Sequence, residues 1–80
     1  MNIYRLSHRA SCPNGNLQDV YQITIKSKAM VMVEDIASAI KSAPNPIFQE
    51  YLADHLRDTL GAEIIVLGTH YGIEIESRRK

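Results

Sequence analysis

Three histidines and a single cysteine are the residues of this chain whose chemistry could support catalysis or metal binding. His70 stands between two glycines in the segment 68–72, directly before an alternating stretch. It could act as a general base if a carboxylate such as Glu74 oriented its ring. A general base also needs a nucleophile or a substrate pocket, and the sequence indicates neither. We therefore predict that His70 only rounds a turn, that no residue is catalytic, and that the chain is not an enzyme.

Cys12 is the second candidate, as a nucleophile. It precedes Pro13 in the turn-like segment 11–16, and the sequence shows no helix N-terminus or neighbouring base that would activate the thiol. We interpret it as an ordinary loop thiol. A lone cysteine also excludes an internal disulfide and a cysteine-based zinc site. It favours a reducing, cytoplasmic setting.

The histidines do not show the spacing of metal ligands. Zinc sites in small domains usually draw on pairs of ligands a few residues apart, whereas His8, His55 and His70 fall in three separate segments. We therefore predict no metal and no cofactor. Whether the three imidazoles meet in space stays open at this stage.

An acidic row is the strongest candidate for a binding surface. Glu50, Asp54 and Asp58 recur every fourth residue of a predicted helix, about 6 Å apart along one edge. A solvated polar face is the ordinary explanation. The functional alternative is a contact surface for a basic groove on a protein partner, where complementary charge selects the partner. The predicted partner-binding residues are Glu50, Asp54, Arg57, Asp58, Glu74 and Glu76.

A basic first hairpin gives the alternative surface. Tyr4 and Tyr21 lie near its charges and could stack on bases, although Tyr21 aligns with Ile23 and Ile25 and is predicted to be core. So few charges bind nucleic acid weakly at physiological salt. Nucleic acid is thus not expected as a direct ligand. If the chain does bind nucleic acid, the predicted contact residues are Arg5, Arg9, Lys26 and Lys28.

Composition indicates one folded domain over residues 1–80, with 45% hydrophobic and 22% charged residues. A core of this size supplies only about 3–5 kcal/mol of stability. The formal net charge is zero, so no global field attracts nucleic acid or membranes. Residues 46–77 carry six acidic side chains against one basic, and residues 78–80 form a basic tail. No apolar stretch approaches the roughly 20 residues that span a bilayer.

Residue patterns predict six elements in the order ββααββ. Period-two alternation indicates strands at 2–9 and 20–27, which form a hairpin. A helix begins near Met32 and stops at Pro44, and a second runs over 46–60, capped by Asn45 and ended by Gly61. The apolar run 64–67 indicates a central strand, and a last strand follows the loop 68–72.

This order predicts an α+β fold, with an antiparallel four-stranded sheet and two helices on one face. The strand at 64–67 is apolar on both sides, which hints at a homodimer that covers the second side.

In size and general build the chain resembles the small inhibitor proteins of phages and mobile elements, those of the anti-CRISPR type among them. The features shared are a short single α+β domain, the absence of a catalytic motif and the acidic helix face. The resemblance implies a stoichiometric inhibitor that blocks a nucleic-acid or partner site on a larger complex. Our leading prediction is therefore a noncatalytic protein-binding module. A small nucleic-acid-binding protein is the alternative, and a small enzyme or metal-binding protein that uses His70 comes third.

Overall fold

A four-stranded antiparallel sheet organises the molecule. The computed structural model describes residues 1–15 and 18–80. Its strands are β1 (Asn2–Ser11), β2 (Gln18–Ser27), β3 (Glu63–His70) and β4 (Ile73–Arg79), and they lie side by side in chain order. The helices α1 (Val33–Ser42) and α2 (Gln49–Leu60) connect β2 to β3. The predicted α+β class, the antiparallel sheet and the order ββααββ are confirmed.

Strand alternation places the core. Tyr21, Ile23 and Ile25 of β2 are completely or almost completely buried, as their period-two spacing predicts. Ile23 pairs with Val66 and Ile25 with Ile64, so these side chains share one side of the sheet. Each large apolar side chain buried in this way contributes about 1.5–3 kcal/mol. The cluster also takes in five helix residues: Ile36, Ala39, Leu52, Ala53 and Leu56.

Helix α2 begins three residues later than the sequence predicts. Asn45 does not cap it; the Asn45 Oδ1 atom accepts a hydrogen bond from the backbone N–H of Ser11 instead (2.9 Å). The Ile47 N–H likewise donates to the Ser11 carbonyl (3.0 Å). The segment before α2, which contains a cis Asn45–Pro46 peptide bond, is thus tied to the end of β1. The end of α2 is as predicted, with Gly61 in the left-handed conformation at φ 63°.

The turn between β3 and β4 is shorter than predicted. Tyr71 and Gly72 alone form it, with φ values of 53° and 77°, which is the two-residue hairpin geometry. His70 is therefore the last residue of β3, and the prediction that it rounds a turn is wrong. Gly68, which was expected to open the loop, is a buried strand residue.

The C-terminal residues continue the sheet. Arg78 pairs with Ile65 and Arg79 with Ile64, so β4 includes two of the three basic residues at the end of the chain. Helix α2 packs against β3 and β4, and α1 packs against α2. Among residues 1–15 and 18–80, no helix is long and apolar enough to cross a membrane.

Candidate functional site

Polar side chains converge at the end of the β1–β2 hairpin where β1 stops and β2 begins. Ser11 pairs with Gln18 there, and Ala10 pairs with Asp19. Cys12 directly follows β1, and Asp19 is the second residue of β2, so both belong to the same end of the hairpin. Cys12 is partly exposed and carries a free thiol. A nucleophile and a carboxylate thus lie at one edge of the sheet.

Asp19 is also the carboxylate that contacts His70. The Asp19 Oδ2 atom lies 3.3 Å from His70 Nδ1, and both side chains are mostly buried, with 17% and 21% of their surfaces exposed. The Tyr21 hydroxyl donates to the same oxygen over 3.4 Å. The rings of Tyr21 and His70 lie 5.9 Å apart. The sequence pointed to Glu74 as the partner of His70, but Glu74 pairs with Thr69, an exposed residue of β3.

Gln49, the first residue of α2, holds the other side of the His70 ring. Its Oε1 atom lies 2.9 Å from His70 Nε2. Its Nε2 group donates to the carbonyls of Val66 and Ile75, over 3.0 and 2.8 Å. The Ser77 hydroxyl lies 3.2 Å from the same nitrogen. Gln49 is only 2% exposed, so its amide is a buried group with its hydrogen-bonding capacity satisfied.

Gly68 makes room for this arrangement. A Cβ atom at this position would lie 2.7 Å from Gln49 Oε1 and from the Tyr21 ring. Such a distance is well inside van der Waals contact. A glycine in β3 is therefore what allows Gln49 and Tyr21 to approach the strand from the buried side.

Electrostatics keep the Tyr21 phenol protonated. Burial, followed by the negative charge and hydrogen bond of Asp19, raises the pKa of Tyr21, and the charges of Cys12 and Glu50 raise it further. The phenol is consequently a stable hydrogen-bond donor. Asp19, Cys12 and Glu50 thus contribute to the electrostatic environment of the phenol. We call Cys12, Asp19, Tyr21, Gln49, Glu50 and His70 the hairpin cluster.

No protein-family model matches this chain, and no curated protein sequence matches it. Among solved structures, the crystal structure of the archaeosine synthase QueF-Like in the apo form is similar, with a TM-score of 0.72. The match covers 96% of this chain and 90% of that chain, at 18% sequence identity. The two proteins share a fold.

This similarity corrects the predicted function. A noncatalytic inhibitor of the anti-CRISPR type is the wrong interpretation, because the fold is one that an archaeosine synthase uses. The prediction rested on short length, an acidic helix face and the apparent lack of a catalytic group. The hairpin cluster bears on the third of these reasons, because a thiol, a carboxylate and an imidazole lie there at one end of the sheet.

The acidic row of α2 is partly paired with basic residues at the end of the chain. Asp54 is paired with Arg79, whose Nε lies 2.5 Å from Asp54 Oδ1. Arg57 donates to the backbone carbonyl of Lys80 (2.6 Å). Asp58 is exposed, and Glu50, in the first turn, belongs to the hairpin cluster. Of the two predicted strand carboxylates, Glu74 and Glu76, the second is paired with Arg78 (2.6 Å).

The basic residues of the first hairpin differ in their surroundings. Arg5 and Arg9 are exposed on β1, where they alternate with less exposed positions. Lys26 lies 3.8 Å from Glu63, which offsets its charge, and Lys28 follows the end of β2. Tyr4 is held in place, since its hydroxyl accepts a hydrogen bond from the Val31 N–H (2.9 Å).

The other two histidines have different surroundings from His70. His55 Nε2 lies 2.9 Å from the carbonyl of Ala39, so this nitrogen is the donor, and 3.1 Å from the Ser42 hydroxyl. A nitrogen that donates to a carbonyl cannot also accept the proton of Ser42, so the pair connects α2 to α1 without activating the serine. His8 lies on β1 opposite Tyr21, and burial lowers its pKa. Over the described residues, no group of three or more His, Cys, Asp or Glu side chains could hold a metal ion.

An open groove of about 360 Å³ lies elsewhere, between α1 and the end of α2. Its lining includes Val31, Asp35, Ser38 and Leu60. Within the part of the chain that the structure describes, the groove is lined by no thiol, no imidazole and no residue of the hairpin cluster. Chemistry therefore favours the hairpin cluster over this groove as the candidate functional site.

Proposed function

We propose that this chain is an enzyme that uses the Cys12 thiol as a nucleophile on a nucleoside-type substrate. The observation that carries the proposal is the hairpin cluster, in which Cys12 and the Asp19–His70 pair lie at one end of the sheet. Thiol nucleophiles need a neighbouring group that takes up and returns a proton. Asp19 and His70 supply such a group.

The step that this set of groups supports is addition of the thiol to a polar carbon–heteroatom multiple bond. The Cys12 sulfur forms a bond to the carbon, and the π bond breaks towards the heteroatom. The heteroatom takes a proton from the Asp19–His70 pair, and the pair recovers the proton that the thiol loses. Atoms and charge balance without an external oxidant or reductant. Tyr21 stays a hydrogen-bond donor throughout, because its pKa is raised.

The substrate class follows from the fold neighbour and from Glu50. The neighbour is named for archaeosine, a nucleoside, and we propose a related substrate here. A base edge offers N–H donors, and a carboxylate such as Glu50 accepts them, which is how acidic side chains read bases. Glu50 is exposed in the first turn of α2 and its charge acts on the Tyr21 phenol. It is therefore available to a base that enters the cluster.

We also propose that both helices cover the same side of the sheet. Support comes from the single core that Ile36 of α1 and Leu52 of α2 share with Ile64 and Val66 of β3. This arrangement leaves the opposite side of the sheet without a helix. The hairpin cluster lies at the end of the covered side, where the strands stop.

Alkylation of Cys12 tests the proposed function. Because Cys12 is the only cysteine, the rate at which iodoacetamide adds mass to the protein reports on this thiol alone. We expect free archaeosine to slow alkylation in proportion to its occupancy of the site. Guanosine at the same concentration serves as the comparison and should protect less. Equal rates with and without archaeosine, up to its solubility, would contradict the proposal.

Glu50→Gln provides the matched variant. The substitution keeps the shape of the side chain and removes the charge that accepts base N–H groups. Protection by archaeosine should then require about 10- to 100-fold more ligand, the equivalent of roughly 1–3 kcal/mol for a lost bidentate contact. Asp58→Asn, on the same helix but outside the hairpin cluster, should leave protection unchanged.

A further inference from the structure

The orientation of the Gln49 amide is fixed by its surroundings. Two of the groups that face its Nε2 atom are backbone carbonyls, those of Val66 and Ile75. A carbonyl can only accept, so the atom that faces them must be the NH₂ group. The amide oxygen is then the atom that lies 2.9 Å from His70 Nε2. Because both carbonyls belong to the sheet, reversing the amide would place an oxygen against two oxygens.

This orientation determines which nitrogen of His70 carries a proton. An amide oxygen accepts hydrogen bonds and cannot donate them. His70 Nε2 must therefore be the protonated nitrogen, and it stays so in the neutral ring. The other nitrogen, Nδ1, faces Asp19 Oδ2 at 3.3 Å. Two lone pairs would meet across that distance unless one further proton lies between them.

We propose that Gln49 is a positioning residue for acid–base chemistry: its amide locks His70 in the Nε2–H form, so that only the proton shared by Nδ1 and Asp19 can move. This inference rests on the proposed function for its catalytic meaning, since the mobile proton is the one that the thiol addition uses. The structural part, the locked ring, stands on the hydrogen bonds alone. A histidine without such a lock can exchange the roles of its two nitrogens and present the wrong one to Asp19.

The other charged and titratable groups around the ring agree with this assignment. On β2, Tyr21 donates to the same Asp19 oxygen that faces Nδ1. Glu50 follows Gln49 on α2 and Cys12 follows β1, and both contribute to the raised pKa of the Tyr21 phenol. None of these groups offers His70 Nε2 an alternative partner to Gln49.

Nitrogen NMR of the imidazole tests the inference directly. Long-range ¹H–¹⁵N spectra of uniformly labelled protein distinguish a protonated ring nitrogen from an unprotonated one. In a pH titration of the wild-type protein, His70 Nε2 should keep the chemical shift of a protonated nitrogen at every pH at which the protein is folded, and only Nδ1 should change. A spectrum in which Nε2 loses its proton while Nδ1 keeps one would overturn the proposal.

Two variants separate the lock from general effects on folding. In Gln49→Leu the acceptor at Nε2 is lost, and we expect a neutral ring that mixes both protonated forms. Ser77→Ala removes one contact of the Gln49 NH₂ but leaves both carbonyl acceptors, so Nε2 should remain protonated as in the wild type. A Gln49→Leu spectrum identical to that of the wild type would contradict a role for the amide.

The NMR result does not depend on any ligand. It can therefore fail while archaeosine protects Cys12, or hold while archaeosine does not. If Gln49→Leu does not fold, the wild-type titration and Asp19→Asn still decide. The side-chain amide introduced by Asp19→Asn should donate to Nδ1 and fix the neutral Nε2–H ring over the whole titration; a protonated Nδ1 in the neutral ring of this variant would overturn the inference.

Discussion

At the scale of single residues, the proposed function depends on a few side chains that meet at the shared end of β1 and β2. Cys12 supplies a thiol, Asp19 Oδ2 lies 3.3 Å from His70 Nδ1, and Tyr21 donates a hydrogen bond to Asp19. None of these types is unusual in a small protein. What makes them a candidate site is the buried network behind them, in which Gln49 connects His70 to the backbone of β3 and β4.

Gly68→Ala tests whether that network needs the space that a glycine leaves. The new methyl group would lie 2.7 Å from Gln49 Oε1 and the Tyr21 ring, so both must move. We expect the free energy of unfolding in urea to fall by about 1–3 kcal/mol, the range for overpacking a core. Gly15→Ala is the matched control, because nothing lies within 4 Å of its Cβ position, and its effect should stay within about 0.5 kcal/mol.

His8 gives a prediction on pH. Burial lowers its pKa below 6.5 in the folded state, so between that lowered pKa and 6.5 the unfolded chain binds more protons. The stability that the neutral His8 contributes is therefore complete above pH 6.5 and is lost as the pH falls towards the folded-state pKa. As the pH falls through this interval, the free energy of unfolding of the wild type in urea should decrease relative to that of His8→Gln. A difference that does not vary between about pH 5 and pH 8 would contradict the assignment.

At the scale of elements, the sequence predicts most of the sheet and both helices. Alternation identifies the buried side of β2, and Gly61 correctly marks the end of α2. These features are local, because the period of a strand or the conformation of one glycine depends on neighbouring residues. The start of α2 is not local. Asn45 would cap a helix in isolation, but here its side chain binds the N–H of Ser11, a residue of β1.

The candidate site could not be predicted either, because its residues are far apart in the sequence. Asp19 and His70 lie 3.3 Å apart only because β2 and β3 pair in one particular register. The extent of β3 was also misjudged. Gly68 looks like the start of a loop in the sequence, whereas in the fold it provides room for Gln49 and Tyr21. If β3 is taken to end before Gly68, His70 falls in the loop and its contact with Asp19 is not expected.

The β3–β4 turn offers a stabilising substitution. Tyr71 has φ 53° and is fully exposed. Its left-handed conformation is therefore unfavourable for an ordinary L-residue, and buried side-chain contacts do not compensate for it. Asparagine adopts this conformation more readily and is favoured before glycine in two-residue hairpins. Tyr71→Asn should raise the free energy of unfolding by about 1 kcal/mol. Tyr71→Ala, which keeps the Cβ atom and lacks the amide, should give no comparable gain in the same urea titration.

At the scale of the whole molecule, the fold and the proposed function rest on separate observations. The chain matches the archaeosine synthase QueF-Like over 96% of its length with a TM-score of 0.72. That similarity establishes the fold, and the functional proposal comes from the residues at the end of the sheet. The homodimer predicted from the two-sided apolar strand stays a prediction. Ile65 and Leu67, on the other side of β3 from Ile64 and Val66, are partly exposed.

The most direct test of the account is a titration of ¹⁵N-labelled protein with free archaeosine, followed by backbone amide chemical shifts. The largest changes in chemical shift should fall on residues of the hairpin cluster, including Cys12, Asp19, Glu50 and His70. The groove between α1 and the end of α2 provides the internal comparison, because among the described residues its lining shares none with the hairpin cluster. Changes confined to the residues of that groove, or no changes at all, would contradict the claim that the hairpin cluster is the functional site.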